Sequence, residues 1–209
     1  MFILLTLLAA ISAALTIFAN YRTSKRLEYV FKPLTMVWII LIALLANDPV
    51  STAYRVLIVA GLLASLAGDV FLMLPSDRFV QGLVSFLIAH ILYIIAFTVE
   101  SGGTTPIWYI IPFVMYGAIM LRWLWPYLGP MQRPVIVYVC IILIMAWQAA
   151  NRWLVTDETS ALLALIGAYL FVTSDSVLAV EHFRGTWRSA PFWVLSTYFA
   201  AQWLIALSI

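Results

Sequence analysis

The sequence predicts an all-α integral membrane protein: a single domain over residues 1–209, folded as a bundle of eight transmembrane helices. The first observation is composition, because 65% of the residues are hydrophobic and only 10% are charged, against about 45–50% and about 25% in soluble domains. The second is that the apolar residues fall in eight runs near the length of about 20 that a crossing needs. The third is that the connections are short, which leaves no room for an extramembrane domain.

The predicted spans follow one another closely along the chain. The run at 2–20 has basic residues after it rather than before it, the reverse of a cleavable signal peptide, and is therefore a permanent first span. The second run is the shortest and begins at Lys32 and Pro33, where proline suits a first helical turn. The eight spans are 2–20, 33–47, 54–74, 79–99, 106–125, 134–151, 159–180 and 190–208.

The distribution of basic residues predicts the orientation. One side of the membrane carries only Arg55 and Arg152. The loops after spans one, three, five and seven carry the rest: Arg22, Lys25, Arg26, Lys32, Arg78, Arg122, Arg133, Arg184 and Arg188. Since positively charged loops stay in the cytoplasm, both termini are expected on the non-cytoplasmic side, in the inner membrane if the source is bacterial.

A weak internal sequence similarity suggests that the chain is a duplication of a four-helix unit. Lys32 and Pro33 open span two as Arg133 and Pro134 open span six, and Asp69 lies late in span three as Asp175 does in span seven. Two halves of four helices would have the same orientation. Chance similarity is the alternative.

Composition and motifs exclude several classes of function. A net charge of +2 is too small to indicate a nucleic-acid partner. The single cysteine, Cys140, is expected to be a core thiol. The two histidines, His90 and His182, lack the spacing of a metal site, so no metal is expected. The sequence has no GxSxG, P-loop or GxGxxG motif, and no cofactor is predicted.

Two acidic residues lie well inside predicted spans. Asp69, in the stretch SLAGDVFLML, and Asp175, in FVTSDSVLAV, are each about six residues from the expected cytoplasmic end of the helix, or about 9 Å. An ionised aspartate facing lipid would cost about 3 kcal/mol or more, so both are expected to face the bundle interior. One interpretation is that each is an interhelical strut or helix cap. The other is a catalytic pair, one protonated and one ionised near neutral pH, suited to acid–base hydrolysis.

Other polar residues fall at helical spacing within the spans, and we predict that they line a substrate site. His90 alone fits a hydrogen-bonded core histidine as well as a functional one. Lys32 fits either an orientation determinant that snorkels to the interface or a ligand for a lipid phosphate. The full set is Lys32, Ser65, His90, Tyr93, Tyr138, Ser174, Tyr198 and Gln202.

An ordered set of motifs resembles the YhhN family of membrane proteins, the lysoplasmalogenases, over nearly the whole chain. The motifs are FKPLTM, SLAGDVFLMLP, FVQGLVSFLIAHILYIIAF, PVIVYVCIILIMAWQA, LIGAYLFVTSDSVLAVEHF and STYFAAQWLIAL. The resemblance implies an eight-helix hydrolase that cleaves the vinyl ether bond of lysoplasmalogens to a fatty aldehyde and glycerophosphoethanolamine or glycerophosphocholine. It places the proposed catalytic aspartates at Asp69 and Asp175, with a lysophospholipid and the bilayer as partners.

Two other functions share some of these features. Intramembrane carboxylates and a possible repeat are also typical of small-solute or proton-coupled transporters. An intramembrane aspartyl protease is suggested by Gly68 and Asp69, but Ser174 and Asp175 lack the tyrosine and glycine context of such enzymes.

Overall fold

The computed structural model describes residues 1–75 and 78–209, and within them the protein is all-helical, without a strand. Short 3-10 turns at Ile107–Ile110 and Gly129–Met131 flank the fifth long helix. The α-helices are α1 (Phe2–Tyr21), α2 (Lys25–Leu44), α3 (Thr52–Met73), α4 (Phe79–Val99), α5 (Ile111–Leu128), α6 (Gln132–Thr156), α7 (Thr159–Arg184) and α8 (Ala190–Leu207). The all-helical prediction is confirmed.

Seven helical segments of the described residues are long and apolar enough to cross a membrane. The longest, Ile107–Thr156, contains both α5 and α6 and has 50 residues, or about 75 Å if it were one straight helix. The two helices instead pack against each other, and a left-handed glycine, Gly129 (φ +48°), lies between them. Length and composition thus support a multi-pass protein but do not support the prediction of eight separate spans.

Local signals explain several helix boundaries. The Ser51 hydroxyl caps α3 by accepting a hydrogen bond from the Tyr54 amide at 3.0 Å. Asp157 follows α6 in the left-handed conformation (φ 53°), which favours short polar residues. Gly185, at φ +121°, ends α7 in a conformation that side chains rarely adopt. The loops can therefore be as short as the sequence suggests.

The second helix begins earlier than predicted. It starts at Lys25, so Pro33 lies inside the helix rather than in its first turn. The hydropathy of the sequence marks only the apolar part of this helix, because its first two turns carry Lys25, Arg26 and Glu28. As a result Lys32 is not at a helix end, and it is buried within the bundle.

The helices pack mainly as neighbours in sequence, with α3 against α4, α7 against α8 and α1 against α2, while α6 lies against both α4 and α7. Glycine allows the closest of these contacts. A Cβ atom on Gly68 would lie only 2.8 Å from the Phe86 ring of α4, so α3 and α4 pack closely beside Asp69. One end of the bundle, here called the basic end, carries Lys25, Arg78 and Arg184.

The opposite end is fastened by a fully buried arginine. Arg152 was predicted to lie in a loop, but it belongs to α6 and has no exposed surface. It donates hydrogen bonds to the Tyr54 hydroxyl at 2.6 Å and to Ser160 Oγ at 2.9 Å, and Tyr54 also bonds Ser208 at 2.8 Å. Neutral hydroxyls of α3 and α7 thus accept from two nitrogens of the guanidinium, and Ser208 of the C-terminal segment bonds one of these hydroxyls. Cys140, by contrast, is exposed on α6, so its prediction as a core thiol is wrong.

Candidate active site

Asp69 is buried on α3 and has two partners from other helices. Only 1% of its surface is exposed. Lys32 Nζ of α2 lies 3.1 Å from Asp69 Oδ1, forming a buried ion pair. The Tyr198 hydroxyl of α8 donates a hydrogen bond to Asp69 Oδ2 at 2.6 Å. Since both oxygens have donors and one donor is a cation, the position suits a carboxylate.

Asp175 lies on α7 in a different environment. Its Oδ2 accepts a hydrogen bond from the Tyr138 hydroxyl of α6. Among the described residues the ion pairs found are Lys25 with Glu28 and Lys32 with Asp69, so Asp175 has no cation partner there. It is only partly buried. Each aspartate therefore has its own tyrosine partner, but the two differ in charge compensation and exposure.

Both aspartates line one polar cavity of about 430 Å³. Lys32, Ser174 and Tyr198 also line it. The cavity reaches the basic end, where polar and charged side chains line its mouth: Asn20, Glu28, Arg78, Glu181 and His182. These mouth residues had no predicted role in the site, since Arg78 was expected only to set the orientation and His182 was considered only as a metal ligand.

Asp175 also borders an apolar cavity on its other side. This near apolar cavity, about 70 Å³, is lined by Asp175 and Tyr138 together with aliphatic and aromatic side chains of α5, α6 and α7. Leu72, Phe79 and Phe86 line both it and the polar cavity. Asp175 therefore lies where a polar space meets an apolar one.

The serines next to the aspartates are fully or almost fully buried. Ser174 Oγ donates to the carbonyl of Val194 on α8 at 3.0 Å, although Ser174 also lines the polar cavity. Ser65 lies one turn before Asp69 on the buried face of α3. Their predicted contact with a substrate stays a prediction.

His90, Tyr93 and Gln202 lie deeper in the bundle and have no exposed surface. The Tyr93 hydroxyl donates to Gln202 Oε1 at 2.8 Å, joining α4 to α8. The His90 ring packs edge-on against Tyr138, with ring centroids 5.3 Å apart. The structure thus joins His90 to the site through Tyr138. The contact of all three residues with substrate stays a prediction. Among residues 1–75 and 78–209, no cluster of three or more His, Cys, Asp or Glu has the arrangement to hold a metal.

A family model for YhhN proteins matches residues 27–209. The chain belongs to the YhhN family. The match covers α2 to α8, and hence both aspartates and their tyrosine and lysine partners. Membership confirms the resemblance seen in the sequence motifs and, with the apolar helices, makes the chain an integral, multi-pass membrane protein.

Similar proteins in this family are named either YhhN or lysoplasmalogenase. The membrane protein YhhN of Escherichia coli O157:H7 is 33% identical over 201 residues, which is 95% of each chain. Lysoplasmalogenase TMEM86A of Bos taurus is 33% identical over 191 residues, covering 84% of this chain and 74% of its own. Human lysoplasmalogenase TMEM86B is 33% identical over 161 residues, covering 76% and 65%. No solved structure matches this YhhN protein.

Proposed function

We propose that the protein is a membrane hydrolase of the lysoplasmalogenase type. It cleaves the vinyl ether bond of a lysoplasmalogen and releases a fatty aldehyde and glycerophosphoethanolamine or glycerophosphocholine. The observation that carries the proposal is that carboxyl groups from α3 and α7 line one polar cavity beside an apolar cavity. The names of the TMEM86 relatives support the choice of substrate.

The partners of the two aspartates support different roles for them. Asp69 has a lysine ammonium at 3.1 Å, which favours the ionised carboxylate. Asp175 has no cation partner among the described residues and borders the apolar cavity, conditions that favour a neutral carboxylic acid. In this proposal Asp175 is the general acid and Asp69 is the general base. Lys32 holds Asp69 in its ionised form, in addition to lying near the phosphate of a bound lipid.

The reaction then needs only these two groups and water. Asp175 gives its proton to the outer alkene carbon, which leaves an oxocarbenium ion at the carbon bonded to oxygen. Asp69 takes a proton from water as the water oxygen attacks that carbon and forms a hemiacetal. Asp69 returns this proton to the glycerol oxygen as the C–O bond breaks, and the hemiacetal hydroxyl returns its proton to Asp175. The products are the aldehyde and the alcohol, and both aspartates regain their starting states.

We further propose eight membrane crossings, with both termini non-cytoplasmic and the polar cavity open to the cytoplasm. The excess of basic residues at the end where the cavity opens supports this orientation. A repeat of four plus four helices is supported by the matching helices of the site contacts: a residue of α2, Lys32, meets Asp69 of α3, and a residue of α6, Tyr138, meets Asp175 of α7.

The test is aldehyde release from a lysoplasmalogen in detergent or proteoliposomes. Asp69→Asn and Asp175→Asn should each lower kcat by about 10²–10⁴-fold, the usual contribution of a positioned acid or base. Asp157→Asn makes the same chemical change at a left-handed helix terminus that asparagine accepts, and it should retain wild-type turnover. Gel filtration and thermal midpoint verify folding for each variant.

Two results would count against the proposal. One is near wild-type turnover in folded Asp69→Asn and Asp175→Asn, which would reject these residues as the acid and the base while the hydrolase activity itself stands. The other is transport of a solute by reconstituted protein that releases no aldehyde, which would favour a transporter.

A further inference from the structure

Three cavities lie next to one another, beginning at the polar cavity. The near apolar cavity shares Asp175 with the polar one. It shares Tyr116, Leu143 and Val172 with a third cavity of about 410 Å³, here called the far apolar cavity, between α5, α6 and α7. Neighbouring cavities share lining residues and are therefore adjacent, so a narrow ligand that displaces the shared side chains would run from Asp175 to the far apolar cavity.

This path follows one face of α6. Tyr138, Ile142, Ala146 and Ala150 recur every four residues on the helix and line the two apolar cavities. From Tyr138, which bonds Asp175, to Ala150 is 12 residues, or about 18 Å. One leaflet of a bilayer is about 15 Å of hydrocarbon. The path is therefore long enough for a lipid chain of ordinary length.

The wall formed by α5 is apolar and faces the membrane. This helix packs against α6 and α7, and Ile119 on it is 64% exposed. The Tyr116 hydroxyl bonds Ser176 Oγ of α7 at 2.7 Å where the two apolar cavities meet. Because these hydroxyls satisfy each other, the junction presents little polar cost to a hydrocarbon chain.

We propose that this groove, lined by Tyr116, Leu143, Ala146, Ala150 and Val172, binds the single hydrocarbon chain of a lysolipid. The vinyl ether lies at Asp175 and the headgroup lies in the polar cavity. The end of the chain reaches Ala150 in the far apolar cavity. The inference rests on the proposed function and adds a chain-binding subsite that determines which chain lengths are cleaved. A chain that ends near Leu143 leaves the far apolar cavity empty, whereas a longer chain fills it.

The test blocks the far apolar cavity and varies the chain. Ala150→Trp and Thr173→Trp place a large ring there from α6 and α7. Turnover is measured with a short-chain and a long-chain lysoplasmalogen. For the long chain, kcat/KM should fall about 15- to 60-fold, the effect of losing the burial of two to three methylenes. For the short chain it should stay near wild type. Val137→Trp, on a lipid-exposed part of α6, is the matched control and should change neither.

A second measurement does not depend on turnover. A lysophosphatidylcholine with a diazirine at the end of its chain should label residues 143–154 of α6, and Thr173→Trp should abolish that label. Equal losses for both chain lengths, no loss for either, or labelling elsewhere would overturn the groove assignment. If the wild-type protein cleaves neither lysoplasmalogen but the label appears, the proposed reaction fails while the groove stands.

Discussion

The buried ion pair between Lys32 and Asp69 makes a quantitative prediction. Lys32→Met removes the ammonium 3.1 Å from Asp69 and leaves a carboxylate that is 1% exposed. Breaking one side of a buried pair costs about 3–5 kcal/mol, because the remaining charge is uncompensated. At roughly 2–4 °C for each kcal/mol in a chain of this size, the thermal midpoint should fall by about 6–20 °C. Combining Lys32→Met with Asp69→Asn removes both charges and should recover most of that loss.

The assay is thermal unfolding of the purified variants in one detergent. Lys25→Met is the matched control, because Lys25 also lies 2.9 Å from a carboxylate, that of Glu28, but its side chain is 62% exposed. An exposed pair contributes about 0.2–1 kcal/mol, so its midpoint should move by no more than about 4 °C. If the double variant is no more stable than Lys32→Met, the two residues are not energetically coupled and the reasoning is refuted.

Two further predictions concern the surroundings of the aspartates. Tyr138→Phe removes the hydrogen bond that supports Asp175 as it becomes charged. Because such a bond contributes about 1.5–3 kcal/mol, kcat should fall roughly 10- to 100-fold. A change in KM alone would contradict this role. Gly68→Ala places a Cβ 2.8 Å from the Phe86 ring and should destabilise the protein by about 1–3 kcal/mol; an unchanged thermal midpoint would show that α4 yields easily there.

The aspartates were predictable because a carboxylate in a membrane helix has a high free energy wherever it faces lipid, and it is therefore confined to the bundle interior. Each aspartate is about six residues from the expected cytoplasmic end of its helix, which predicts that Asp69 and Asp175 lie near the same end of the bundle. Both line the polar cavity there. Their partners were less predictable. Tyr138 and Tyr198 were in the candidate set, but periodicity along one helix does not say which tyrosine of another helix meets which aspartate. That pairing depends on the order in which the helices pack.

The position of Lys32 shows more clearly what hydropathy alone cannot predict. Hydropathy placed it at the start of an apolar run, where a lysine snorkels to the interface. The helix begins at Lys25 instead, which moves Lys32 inward by two turns and pairs it with Asp69. Arg152 was misplaced for the same reason, because a charge next to the end of a hydrophobic run looks like a loop residue. In the structure it is fully buried and donates to hydroxyls of α3 and α7.

The position of Asp175 between the polar and apolar cavities has an energetic consequence. Extracting a lipid chain into water costs about 0.8 kcal/mol for each methylene, and therefore roughly 10 kcal/mol or more for a chain of more than about twelve carbons. A polar space that adjoins an apolar one inside the helix bundle reproduces the boundary at which the ether bond of a membrane lipid already lies. A substrate that slides sideways into the proposed groove keeps its chain in hydrocarbon throughout. In the proposed reaction, the fatty aldehyde would return to the membrane through the same groove, and the glycerophospho-alcohol would leave through the polar mouth.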